Sequence, residues 1–427
     1  MYRQKGKSWV IAIGAGAIVF SLSTTLAVAK VCDVRGYGAH GDGTGKDTSA
    51  IQSAIDACAE EGGTVRLNSG LYLSGPIVLK SNITLQLEKG ATLLGSPDHA
   101  DYPAKTEFRA PGLQSLVSAT DAHDVAITGE GTIDGNGESW WAMARSIKDA
   151  GILGTDHPRP RLVVFDHCKH VRIEGVTIQN SPMWQVVPYY SDDIVIHNVR
   201  VLAPQHSPNT DAIDPFSSTH VVIDHLYADV GDDNIAIKSG AINSPGPDAP
   251  SENITITDCT FLHGHGLSIG SEIAGGAHTI RAERIHFEGT DNGIRVKANR
   301  DRGNDVGNLV FRDIEMKNVK NAIVISEYYP KILPVEGETA MPVTRLTPKF
   351  HDITIENLTA SGGESLGAIV GLPESPVAEL RLRNVKLSGK RGMTIAYAQG
   401  EGTAVTIEAK DGKPITEGPG AQIKLER

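Results

Sequence analysis

The sequence predicts an all-β solenoid, a parallel β-helix with a short helix at its N-terminal end, and three observations lead there. From Thr64 onward apolar residues alternate with polar ones, as in Ile83-Thr84-Leu85-Gln86-Leu87, with Gly, Asn and Asp between the runs. A self-similar phrase recurs at Asn82, Asp124, His170, Asp193, His220, Asn253, Thr279, Asn308, Asp352 and Glu379, at intervals of about 23 to about 46 residues. No helix-period segment separates these strands, and Asn-Gly or Asp-Gly hairpin pairs are scarce between them. A doubly wound sheet and a sandwich are both disfavoured. Stacked coils, each burying its aliphatics on the next, remain.

The elements follow in order. Arg3, Lys5 and Lys7 precede an uncharged run from Ser8 that ends Ala27-Val28-Ala29, so residues 1–29 read as a secretory signal peptide. The expectation is an exported protein with no membrane attachment once the signal is removed. Residues 30–427 then form one catalytic domain, since no Pro/Ser-rich linker divides them. After a glycine-rich turn, Ile51, Ala54, Ile55 and Cys58 recur at helical spacing behind the N-cap candidate Asp47, giving a helix from Thr48 to Cys58 that caps the open core. Export permits disulfides, and Cys32 with Cys58 is the candidate pair; Cys168 and Cys259 are expected to be buried thiols. Asn82, Asn253 and Asn357 match a glycosylation triplet but occupy the repeat's turn position, which favours turn chemistry.

Composition bounds the function. Of 427 residues 40% are hydrophobic and 5% aromatic, so the core is aliphatic, and a formal net charge of −11 argues against nucleic acid as a partner. Two stretches leave the repeat, Ser139 to Pro160 with Trp140 and Trp141, and the proline-rich Tyr328 to Pro348. Each is expected either to wall a groove or to be an ordinary surface loop, the tryptophans then covering the solenoid.

Four polar clusters, each followed at once by an apolar run, carry the chemistry: Asn209-Thr210-Asp211, Gly231-Asp232-Asp233, Gly264-His265-Gly266 and Arg295-Val296-Lys297. Aligning Ile213, Ile235, Leu267 and Ile294 puts Asp211, Asp233, His265 and Asn292 in one column and Asp214, Ala236, Ser268 and Arg295 in another. If coils stack at about 4.8 Å, carboxylates, a histidine and two cations share one face. Crowded carboxylates raise one another's pKa, and a protonated carboxyl beside an ionised one is what glycoside hydrolysis needs. Arg295 and Lys297, with Lys238 in phase, suit a substrate that itself bears carboxylates. A calcium-dependent lyase is the competing use of clustered aspartates, but His265 in the column fits proton transfer better than an all-oxygen site. A non-catalytic carbohydrate-binding β-helix would not need an acid at all.

At these residues the chain resembles the polygalacturonases of glycoside hydrolase family 28. The likeness extends through Asn209 to Pro215, Asp232 to Lys238, Gly264 to Glu272 and, upstream, Gly129 to Gly135. The resemblance implies a right-handed parallel β-helix that hydrolyses α-1,4 galacturonosyl bonds of homogalacturonan with inversion; a monomer without cofactor or metal is expected. It implies Asp232 as general acid, Asp211 and Asp233 as the pair that holds and activates water, and His265 as the support of the acid's protonation. Asn209, Arg295 and Lys297 would bind substrate, and Tyr329 is preferred to Tyr328 as the family's cleft tyrosine. Ala212 replaces the family's usual glycine and is expected to narrow the cleft floor by a methyl group. With no extra N-terminal domain of the kind some exo-acting members carry, endo cleavage is expected. Exo action or rhamnogalacturonan hydrolysis is the alternative.

Overall fold

In the computed structural model the described residues are Met1, 30–107, 110–152, 157–240, 249–333 and 338–426. The signal segment lies outside them. Three ladders of parallel strands run the length of the molecule. The first passes through Gly63–Leu67, Ile83–Leu87, His123–Gly129, Lys169–Glu174, Asp192–His197, Thr219–Asp224 and Ser251–Thr257. The second includes Gly70–Ser74, Ala91–Gly95, Thr132–Asp134, Thr177–Gln179, Arg200–Leu202 and Tyr227–Asp229. The third takes in Val117–Thr120, Val163–Asp166, Val186–Tyr189, Ile235–Ile237, Leu267–Ile269, Asn292–Lys297 and Asn321–Ser326. This is a right-handed parallel β-helix. Its inward residues stack like on like: Leu85, Ile127, Ile173, Ile196, Ile223 and Ile256 are register partners from coil to coil, all fully buried.

The repeat read from sequence marks the coil corners. All ten residues that open the phrase have left-handed backbones, with φ from 50° at Asp352 to 62° at Asn82. Asn, Asp and His tolerate that conformation better than other side chains, which is why they punctuate the repeat. Asn82, Asn253 and Asn357 are three such corners, at φ 62°, 56° and 53°.

Helix α1, Thr48–Ala59, buries Ile51, Ala54, Ile55 and Cys58 against the first coil. Asp47 precedes it, but its carboxylate does not cap the helix; it accepts the backbone N–H of His40 at 2.7 Å and of Gly41 at 3.0 Å, closing the preceding turn. Cys32 and Cys58 are joined by a disulfide, while Cys168 and Cys259 are buried and unpaired. The first departure from the repeat folds as helix α2, Glu138–Asp149. Its continuation at residues 153–156, like 334–337 in the second departure, lies outside the described residues.

Candidate active site

Register brings the four clusters together. Ile213, Ile235, Leu267 and Ile294 are successive partners on the third ladder. Asp211, Asp233, His265 and Asn292 therefore share one phase, two residues before that row. Asp214, Ala236, Ser268 and Arg295 follow it by one, and Lys238 and Lys297 by three. The two glycines around His265 are required by this stacking. Gly264 (φ +108°) and Gly266 (φ +87°) are left-handed, and a β-carbon would stand 2.6 Å from the Asp232 carbonyl in the first case and 2.0 Å from that of Asn292 in the second. Ala212 is a correction: its methyl group is buried in the hydrophobic core and does not line the cleft.

The three aspartates have different surroundings. Asp233 is buried; Lys297 Nζ lies 2.7 Å from one oxygen, while Ser268 Oγ donates to the other at 2.7 Å and Arg295 stands 3.6 Å from it. Burial alone would raise its pKa, but Lys297, Arg295 and Lys238 outweigh that and hold it well below the usual carboxylate range. Asp232 is the most open of the three, and His265 Nδ1 sits 2.9 Å from its Oδ1. Burial would make His265 harder to protonate; the contact with Asp232 outweighs it and the imidazole's pKa is raised. Asp211 lies beside Asp214, and burial followed by repulsion from Asp214 and Asp232 pushes it well above its ordinary value. Asp214 is pushed up to about 7, chiefly by burial.

Beneath these, Lys238 is buried with Glu272 at 3.4 Å and with Asp211 and Asp214 each at 3.8 Å. The Trp184 ring covers it, 4.8 Å from Nζ. Three carboxylates around one ammonium leave surplus negative charge in a dry site, so the Asp211–Asp214 pair retains a proton. Both Asp214 oxygens are buried without a hydrogen-bond donor, which disfavours the ionised form. Arg159 stands on the other side. It donates to the Pro182 and Pro208 carbonyls at 2.8 Å and to Asn209 Oδ1 at 2.6 Å, pinning the first cluster. Lys238 and Asp214 were visible from their phase, but Arg159 sits in an irregular loop and no periodic signal marks it. Tyr329 lies with its ring 5.5 Å from Lys297 Nζ and 5.8 Å from the Arg295 guanidinium. Tyr328 instead packs into a small core with Val370 and Leu372. Asp232, Asp233 and His265 bring three ligand atoms within 4.8 Å of one another, so they could hold a cation; Lys297 already supplies positive charge there.

Residues 63–405 match the family described as glycosyl hydrolases family 28. The chain belongs to that family. An endo-polygalacturonase of Pectobacterium carotovorum subsp. carotovorum is 32% identical over 365 residues, 80% of this chain and 84% of the relative. A probable polygalacturonase of Vitis vinifera is 31% identical over 381 residues, 82% of this chain and 73% of the relative. The crystal structure of a hyperthermoactive exopolygalacturonase from Thermotoga maritima superposes with a TM-score of 0.70 at 29% identity, covering 93% of this chain and 91% of that one. The family 28 chain is therefore a glycoside hydrolase, and its relatives include both endo- and exo-acting enzymes.

Proposed function

We propose that this protein is a secreted polygalacturonase that cleaves homogalacturonan internally, with inversion. One observation carries the reading: an accessible carboxyl, Asp232, stands on a histidine, beside two buried carboxylates of opposite tendency and under a cationic rim. Asp232 gives its proton to the glycosidic oxygen as the bond from the anomeric carbon breaks. Water held by Asp211 and Asp233 attacks that carbon from the opposite face and loses a proton. Asp233, locked by Lys297, is a poor proton acceptor and serves to orient the water. Asp211, with the shared proton on Asp214, is the better base. His265 keeps the Asp232 carboxyl oriented and is drawn on when the acid is reprotonated. Arg295, Lys297 and Tyr329 form the rim that takes the sugar's carboxylate, and Asn209, fixed by Arg159, completes the floor.

Internal cleavage is supported by space on both sides of the acid. A cavity of about 510 Å³ lies between Asp232, Arg159 and helix α2. A separate cavity of about 430 Å³ lies farther along the third ladder, at Asn321, Ser365 and Arg391. The test is a time course on polygalacturonate with chelator present, following viscosity and reducing ends together. Rapid loss of viscosity at few new ends is expected. Mono- or digalacturonate from the outset would overturn internal cleavage, and an unsaturated product needing calcium would overturn hydrolysis. Export is tested by the N-terminal sequence of protein recovered outside the cytoplasm, expected to start near Lys30.

A further inference from the structure

Helix α2 interrupts the repeat and is fixed against the coils by its two tryptophans. Trp140 is buried, its ring stacked 3.5 Å from His99 and edge-on to Tyr102. Trp141 Nε1 donates to the Ser181 carbonyl at 2.9 Å. These contacts fix the helix against the coils. Trp141, Arg145 and Lys148 follow at i, i+4 and i+7, one helical face, and that face lines the cleft. Arg145 and Lys148 border a cavity of about 400 Å³ with His265 and Asp291. Lys148 also borders the neighbouring cavity that holds Asp232. Among the described residues neither Arg145 nor Lys148 is ion-paired, although the chain carries a net charge of −11 and pairs most of its other cleft cations. Two cations without an ion-pair partner on a pinned helix, both across open space from His265 and Lys148 also from Asp232, are arranged for an anionic ligand.

We propose that α2 is a carboxylate-reading wall: Arg145 and Lys148 bind the carboxylates of galacturonate units to one side of the cleaved bond, selecting long unesterified stretches. This rests on the polygalacturonase reading and deepens it. The polymer supplies a carboxylate on every sugar, so a helix face with cations one turn apart meets successive units. Methyl esterification would remove the charge that the wall recognises.

The experiment compares the parent with the double variant Arg145→Gln/Lys148→Gln on oligogalacturonates of increasing length, and on polymer of low and high methyl esterification. For long oligomers KM is expected to rise roughly ten-fold, two partly exposed ion pairs at about three-fold each, with kcat unchanged. The shortest oligomer hydrolysed should show no change, and the preference for low esterification should narrow. An unchanged KM at every length, or an equal loss at every length, would overturn the wall. Should the double variant fail to fold, Lys148→Gln alone carries the test with about a three-fold rise in KM. If the parent hydrolyses no polygalacturonate, the functional reading itself fails; hydrolysis without length-dependent loss sinks only the wall.

Discussion

Replacing Asp214 by Asn should make the protein more stable, and more so as pH rises. The side chain is fully buried and neither oxygen has a hydrogen-bond donor; burial, aided by the charges of Asp233 and Asp232, outweighs the attraction of Lys238 at 3.8 Å. Its carboxyl titrates near 3.8 in an unfolded chain and at about 7 in the fold. Between those values the folded protein keeps a proton that the unfolded chain has released. The sign is therefore fixed: the group costs nothing below about pH 4, and the penalty grows by about 1.4 kcal/mol per pH step until about pH 7. From pH 5 to pH 8 that is about 3 kcal/mol. An amide of nearly the same shape stays neutral throughout and escapes the penalty. The assay is urea unfolding of parent and variant at pH 5 and pH 8. The variant's advantage should widen by about 3 kcal/mol at the higher pH. An advantage equal at both pH values, or a variant less stable at pH 8, would refute the shared proton.

Other substitutions separate roles at the site. Asp232→Asn should lower kcat by about 10² to 10⁴-fold with the unfolding temperature preserved, because the amide keeps the shape but cannot donate an acidic proton; near-normal turnover would remove Asp232 from the acid's place. Arg295→Ala should raise KM about ten-fold with a smaller effect on kcat, measured on one oligogalacturonate, since Lys297 still holds Asp233. Lys238→Met strands three carboxylates in a buried site and should cost about 3–5 kcal/mol in unfolding free energy, the usual result of removing one partner of a buried ion pair. Cys32→Ser with Cys58→Ser opens a link between residues 26 apart in sequence and should lower stability by about 3 kcal/mol, with kcat unchanged because α1 lies at the end of the solenoid.

The sequence exposed most of this architecture because two periodic constraints write themselves into residue type. Corners need left-handed residues, so Asn, Asp and His recur where the chain turns; strands need inward aliphatics, so Ile213, Ile235, Leu267 and Ile294 can be aligned without coordinates. Once that row is set, Asp211, Asp233, His265 and Lys297 fall into place by counting. What was hidden depends on packing across irregular chain. Arg159 reaches Asn209 from a loop 50 residues upstream, and nothing local announces it. Asp47 has the look of a helix cap, but the turn at His40 offers its carboxylate two N–H groups at once. Ala212 turns to the core because it lies in a bend before the isolated bridge at Ile213, outside any strand, where in–out alternation does not hold. Tyr329 and Tyr328 are adjacent, and they are distinguished only in three dimensions, by the hydrophobic pocket around Tyr328 and the cations beside Tyr329.

The corner residues have a further consequence. Chain that enters or leaves at a left-handed corner can lengthen without shifting the strands on either side, because the next coil's register is set by its own aliphatics. Helix α2 is such an excursion, held by its two tryptophans, while Val163–Asp166 beyond it pairs in step with Val117–Thr120. The floor that breaks the bond and the walls that choose the polymer are thus separately editable, so a change of diet can be acquired by exchanging one excursion while the catalytic rows stay as they are.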